Sequence, residues 1–224
     1  MRDIGLACFA IVPHPAAAHP RHWMSEFERW QTRFSAPGYL FGTEPNGFLK
    51  RQTGLLKPGQ KALTVADGEG RNGVFLAQCG LDVTAFDFSP VAIDKARKLA
   101  HERGVTLKIE QANLFEYSWP DEAFDVVVAV FIQFAAPAQR ATVFDGMRRA
   151  LKRGGLLLIE GYTPKQREYK TGGPSEVENL YTRTLLEQSF SGFASLDIKE
   201  YDAEIEEGAG HGGISALIDL VGRK

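Results

Sequence analysis

One six-residue pattern, Gly68-Glu69-Gly70-Arg71-Asn72-Gly73, constrains this chain more than any other feature. It follows the apolar run Ala62 to Ala66 and opens the helical pattern Val74 to Cys79, which Gly80 closes. A G-x-G-x-x-G turn between a strand and a helix lets a nucleotide approach the backbone. The same alternation then repeats. Leu81 to Phe86 reads as a second strand ending at Asp87. Ser89 and Pro90 suit the cap and first position of a helix with Ile93, Ala96 and Ala100 on one face, stopped by Gly104.

Val105 to Ile109 reads as a third strand, and "FDVVVAVF" (124–131) as a fourth. A continuous apolar run of that length suits a strand buried on both faces of a parallel sheet. A helix from Pro137 to Lys152 stops at Gly154-Gly155, and Leu156 to Glu160 is the next strand. Tyr181 to Phe190 reads as a helix. Ser195 to Ile205 and Ile214 to Val221 read as two last strands separated by "EEGAGHGG". Repeated β-α-β units predict a doubly wound α/β sheet.

A length of 224 residues suggests one domain with an added lobe, and 44% hydrophobic with 24% charged residues reads as a soluble globular chain. A net charge of -2 gives no electrostatic case for a nucleic-acid or membrane partner. Two cysteines, Cys8 and Cys79, make no disulfide framework, which points to a reduced, cytoplasmic setting. No apolar run reaches the roughly 18 residues of a membrane span. Residues 1–23, with Pro13, Pro15 and Pro20, read as a dispensable leader, with Met24 as an alternative start. Residues 24–60, rich in aromatics and turn formers, are expected to form a helical cap over the site, and 61–224 the nucleotide-binding domain.

The charge of the loop selects among nucleotides. Asp87, at the end of the second strand, suits ribose hydroxyls in any adenosyl cofactor. Glu69 lies in the glycine loop and Asp67 just before it. A pyrophosphate needs bare N–H groups at a helix N-terminus, and two carboxylates would repel it. S-adenosylmethionine (SAM) has no phosphate and carries a sulfonium and an ammonium. Reversing the sign of a contact a few ångströms long changes its energy by several kcal/mol at intermediate dielectric, so SAM is the expected cofactor.

The segments "ALTVADGEGRNGVFLA", "VTAFDFSPVAIDKAR", "QANLFEYSWPDEAFDVVVAVF" and "MRRALKRGGLLLIEGYTP" resemble the successive motifs of class I SAM-dependent methyltransferases. "YLFGTEPNGFL", "YTPKQREYKTGGP" and "EEGAGHGG" resemble a small bacterial subgroup of tellurite-resistance or thiopurine-type methyltransferases. The resemblance implies a Rossmann-like seven-stranded sheet, mostly parallel with an antiparallel C-terminal strand, and helices on both faces. It places Asp67, Gly68, Glu69, Gly70 and Asn72 beside the methionine part of SAM, Asp87 on the ribose and Phe88 on the adenine. Asn113 and Leu114 fall at the adenine edge, and Phe131 and Gln133 at the floor near the sulfonium. Thr64 stands where many members have an acidic residue, and Ala66 replaces the first glycine of the longer motif.

Plainer readings stand beside these. The glycines also suit a tight turn, Asp87 a helix N-terminal charge, Asn113 a turn, and Gln133 a loop residue satisfied by backbone. His211 also suits a structural turn residue. For the methyl acceptor, Tyr39 to Phe48 and Tyr162 to Pro174 are expected to close a small chamber with aromatic walls. Tyr39, Tyr162 and His211 are its candidate catalytic residues, with Glu160 a further candidate base. A thiol, a chalcogen oxyanion or a compact heteroaromatic would fit such a chamber. Nucleic-acid and protein acceptors would not, and no metal is called for. The chain is expected to be a monomer or homodimer. The alternatives are an NAD(P)-dependent oxidoreductase and a SAM binder without catalysis. The first lacks its usual proton donor, because Tyr162 precedes Lys165 by three residues rather than four.

Overall fold

The computed structural model describes residues 20–224, with side chains from Glu26 onward. In chain order the elements are α1 (Pro20–Phe34), α2 (Gly47–Arg51), β1 (Lys61–Val65), α3 (Arg71–Gln78), β2 (Asp82–Asp87), α4 (Pro90–Glu102) and β3 (Lys108–Gln111). They continue with β4 (Phe124–Val130), α5 (Pro137–Ala150), β5 (Leu151–Tyr162), α6 (Gln166–Tyr169), α7 (Arg183–Ser189), β6 (Ser195–Glu207) and β7 (His211–Arg223). Helix α1 begins at Pro20, inside the segment expected to be a leader, and the rest of that segment lies outside the described residues.

The strands form one sheet in the order β3-β2-β1-β4-β5-β7-β6. Strands β1 to β5 run parallel, and β7 runs antiparallel to both β5 and β6. The apolar run of β4 is buried on both faces. Val126 and Val128 pack with Phe48, Leu49 and Leu76 on one side. Val127 and Ala129 pack with Phe144, Met147 and Leu186 on the other. Helices therefore cover both faces, and α2 is built into the core rather than laid over it.

Three boundaries differ from the sequence reading. The third strand starts at Lys108, because Val105 N–H closes α4 on Ala100 O at 3.0 Å. Strand β5 begins at Leu151, before the two glycines. Most of "EEGAGHGG" is strand: Glu206 pairs with Gly212 and Glu207 with His211, which leaves a turn of three residues. That turn folds down onto the segment after α1. Gly210 N–H donates to Leu40 O at 2.8 Å. A Cβ on Gly208 would lie 2.5 Å from Gly42 N, and one on Gly210 would lie 2.4 Å from the Phe41 ring. Glycine is required there because two backbones meet.

The loop after β1 places its ligand-facing backbone by unusual dihedrals. Gly68 and Gly70 have φ of 59° and 91°, and a Cβ on Gly70 would strike Ala96 Cβ at 2.6 Å, so α3 and α4 depend on that glycine to pack. Ala66 also lies in the left-handed region, at φ 49°. It keeps the conformation of the glycine it replaces, at a cost of roughly 1–2 kcal/mol for an L-residue. Ala66→Gly relieves that strain and adds unfolded-state entropy, and should raise stability by up to about 1 kcal/mol. Urea unfolding of the two proteins measures this, and a loss of stability would contradict it.

Candidate functional site

The carboxyl ends of β1, β2 and β4 converge on a narrow apolar slot. Ala66, Phe86, Asp87, Phe88, Ala112, Leu114, Phe115 and Phe134 line it, with Glu26 and Trp30 of α1 above. Phe27 of α1 meets Phe88 edge-on at 5.4 Å, and Gln31 bonds the Ser89 hydroxyl, so α1 is pinned across the mouth. Asp87 is at the slot wall. Its Oδ2 accepts from Gly68 N–H at 2.9 Å and its Oδ1 from Ser89 N–H at 2.9 Å. Burial pushes its carboxyl up to about 6 despite those bonds. Asp67 is also buried, accepts from Gly73 N–H at 3.1 Å, and is pushed up to about 7 by desolvation despite Gly73, Arg71 and the Thr64 hydroxyl.

Several loop residues expected at the cofactor hold the cap instead. Glu69 accepts from Leu40 N–H at 2.6 Å and from Lys95 Nζ at 2.8 Å, so its charge is neutralised within the chain. Asn72 Oδ1 accepts from Asn46 N–H at 3.0 Å. Asn113 is a turn residue whose Oδ1 accepts from Phe115 N–H at 2.9 Å, while its neighbour Leu114 forms slot wall. Gln133 is buried and engaged at both ends: Nε2 donates to Tyr162 O at 2.9 Å, and Oε1 accepts from Tyr162 N–H at 2.6 Å. It registers the end of β5. Tyr39 turns away from the site, donating to Lys95 O at 3.2 Å and packing against Val74, Leu99 and Ala100.

Beside the slot lies a cluster of rings. His211 is 4.4 Å from Phe41, 4.5 Å from Phe131 and 5.9 Å from Tyr162 between ring centroids. Phe131 and Tyr162 meet at 4.6 Å, and Trp30 reaches Phe41 at 6.1 Å. Phe131 takes φ 55°, a conformation that turns the chain sharply after β4, with its N–H on Glu160 O at 2.9 Å. Strain of this kind in a non-glycine residue clusters at functional sites. Phe41, rather than Tyr39, is the cap residue in this cluster, because backbone contact with the β6–β7 turn rotates the segment.

A buried polar network closes the far side. Arg71 Nη2 pairs with Glu207 Oε2 at 2.7 Å, both side chains nearly inaccessible. Asn46 Nδ2 donates to Glu160 Oε2 at 2.5 Å and to Glu207 Oε1 at 3.0 Å. Tyr201 Oη lies 3.2 Å from Asp219 Oδ1 and 3.3 Å from Glu160 Oε1 and can donate its one proton to either. Burial first, then Asp219 and Glu207, raises the Glu160 carboxyl, while burial of Glu207 is outweighed by His211, Arg71 and Gly47 N–H, which hold it at about 2. His211 is lowered, chiefly by burial and then by Arg71 and Arg33, and is neutral near pH 7. Asn46, Arg71, Glu207 and Lys95 were not singled out as site residues from the sequence. Asn46 before Gly47 is a capping signal, but its three distant partners are set only by the fold.

Residues 62–155 match the family profile described as a methyltransferase domain. This segment is therefore similar to methyltransferase domains. The chain is 34% identical over 105 residues to an uncharacterized methyltransferase, YbaJ, of Bacillus subtilis (strain 168), covering 45% of this chain and 39% of that protein. The chain thus spans less than half the length of that curated relative. In fold it is similar to a solved structure from the conversion of a disulfide bond into a thioacetal group during echinomycin biosynthesis (TM-score 0.69, 20% identity, 92% of each chain). It is also similar to TehB from Haemophilus influenzae (TM-score 0.64, 17% identity, 80% of this chain and 62% of that one).

The residues present fit SAM, the cofactor that the resemblance implies. Glu69 is neutralised by Lys95, but Asp67 and Asp87 are buried carboxyls raised by desolvation, with no bonded cation among the described residues. A cationic ligand with ribose hydroxyls satisfies them, whereas a pyrophosphate adds to their cost. The flat apolar slot beside Asp87 suits an adenine ring.

These carboxyls give the free protein a definite pH response. A carboxyl raised on folding binds more protons folded than unfolded, so its contribution is lost as pH rises toward its folded value. Asp67, near 7, and Glu160 therefore lower stability between pH 6.5 and 8. His211, lowered from 6.5, acts in the opposite sense only below that window. The melting temperature should fall from pH 6.5 to 8, and Glu160→Gln should flatten the fall. An unchanged slope in that variant would remove the assignment.

Proposed function

We propose that the chain is a SAM-dependent methyltransferase acting on a small acceptor held in the ring cluster of Phe41, Phe131, Tyr162 and His211. The observation that carries this reading is the position of that cluster: it adjoins the slot through Trp30, and the cap and the β6–β7 turn close over it. A site enclosed on that scale favours a small molecule over a folded protein or a duplex. A thiol or a compact heteroaromatic suits the rings, and a chalcogen oxyanion is a further candidate. Selection by size and shape accounts for the absence of a basic stripe.

When bound, SAM supplies a methyl group on a sulfonium, an electrophilic carbon with a good leaving group. The chain's part is to hold, align and shield. Asp87 accepts ribose hydroxyls, and Phe88, Leu114 and Phe134 hold the flat ring. The carboxylates of Asp67 and Asp87 favour the positive charge. Phe131 and Tyr162 turn π faces and apolar edges to the reacting region, which attracts a cation and excludes water. Alignment of this kind supplies on the order of 7–11 kcal/mol. Neutral His211 takes the proton of a protonated nucleophile, and its low pKa keeps it unprotonated at neutral pH.

S-adenosylhomocysteine should bind in calorimetry and NADH should not. Asp87→Ala should weaken that binding by ~10–100-fold, the value of hydrogen bonds to a charged group. Unchanged affinity in the folded variant would sink the cofactor assignment. With a thiol acceptor, His211→Asn should lower kcat by roughly 100-fold or more, and the loss should shrink as pH approaches the acceptor's own pKa. A loss independent of pH would make His211 a packing residue.

A further inference from the structure

Three buried polar atoms that make no hydrogen bond of ordinary length among the described residues lie on rings here: Trp30 Nε1 beside the slot, and Tyr162 Oη and His211 Nδ1 in the ring cluster, the last 3.6 Å from Glu207 Oε2. An unpaired buried donor is costly, so a concentration of them marks where a ligand completes the bonding. They fall at two ends. Tyr162 and His211 adjoin Phe131 at the end of β4. Trp30 stands at the other end, across Phe41, where Arg33 stacks on its ring at 4.5 Å and lies 5.7 Å from the Phe41 ring.

Charge distinguishes the ends. Arg71 is also 5.7 Å from Phe41, but Glu207 neutralises it. Arg29, one helical turn away, is paired with Glu26. Arg33 is half-buried and forms no ion pair among the described residues. Indole N–H is a donor only, and guanidinium offers a planar fork of donors. The Arg33–Trp30 end therefore presents uncompensated positive charge and donors, and the Tyr162–His211 end presents a neutral base and a hydroxyl.

We propose that the acceptor is a small flat molecule with two functional ends: a carboxylate bound by Arg33 and Trp30 Nε1–H, and, across an apolar body lying along Phe41 and Phe131, the nucleophile beside His211 and Tyr162. This rests on the methyltransferase reading above and specifies its substrate class. Phe41, which contacts Trp30 and His211, is the side chain that must yield as such a molecule enters, and the glycine-rich contacts of its backbone with Gly208 and Gly210 allow the segment to move as a unit.

The test uses the full chain saturated with S-adenosylhomocysteine and three probes of one shape: 4-mercaptobenzoate, 4-mercaptobenzamide and thiophenol. Calorimetry should show 4-mercaptobenzoate binding ~10–100-fold more tightly than the other two, the worth of charge-assisted hydrogen bonds. In Arg33→Gln the three affinities should converge, and Arg33→Lys should restore part of the preference. S-adenosylhomocysteine and 5′-methylthioadenosine should bind Arg33→Gln as they bind the parent. Equal affinity for benzoate and benzamide, a preference that survives Arg33→Gln, or no binding of 4-mercaptobenzoate to the loaded protein would each overturn the proposal. So would a loss of S-adenosylhomocysteine affinity without loss of 5′-methylthioadenosine affinity, which would assign Arg33 to the cofactor's own carboxylate. Failure of the parent protein to bind S-adenosylhomocysteine would instead overturn the methyltransferase reading.

Discussion

The buried pair between Arg71 and Glu207 is the contact on which the closed site depends. Arg71 opens α3 at the glycine loop, and Glu207 ends β6 at the hairpin turn, 136 residues on. With Arg71 Nη1 also on Phe41 O at 3.2 Å, one guanidinium joins loop, cap and turn. Asn46 repeats the arrangement one step away, with its backbone on Asn72 and its amide on Glu160 and Glu207. Breaking one partner of such a pair leaves an uncompensated buried charge, which costs about 3–5 kcal/mol. The geometry therefore specifies one closed arrangement of three segments that share no sequence proximity.

The carboxylates around the site divide by partner. Glu69 and Glu207 meet Lys95 and Arg71 within the chain and serve structure. Asp67 and Asp87 accept backbone N–H groups, form no ion pair among the described residues and remain raised by burial. Glu160 faces Asp219 directly across the β5–β7 ladder. Its raised pKa keeps one proton on that pair toward neutral pH, so that Tyr201 and Asn46 bond the pair without two full charges side by side.

The sheet and its helices were legible because each element carries its own signal. The continuous apolar run of β4, Ser89-Pro90 ahead of α4, and the glycine loop after β1 are local patterns, and local patterns survive into the fold. The adenosyl side of the site shared that clarity, since Asp87 and Leu114 reach the slot from strand ends whose position follows from the order of elements. Asn113, Gln133 and Glu69 were less legible. Each has the residue type a cofactor site uses, but Gln133 and Glu69 are bonded by groups 29 residues away, while Asn113 closes a local turn on Phe115.

The sequence by itself determined the doubly wound sheet, the loop between β1 and α3, and the sign of its charge, because periodicity, glycine spacing and residue type are properties of short segments. Only the tertiary structure decided what the charge faces. Lys95 on α4 neutralises Glu69, while Asp67 and Asp87 form no ion pair among the described residues. Tertiary structure likewise turned Tyr39 outward and Phe41 inward, because the backbones at Gly42 and Gly208 must pass each other at van der Waals contact. Neighbouring aromatics in the cap look alike as sequence. The one that lines the site is chosen by a hairpin turn more than 160 residues downstream, at Gly208 and Gly210, whose missing side chains leave room for it.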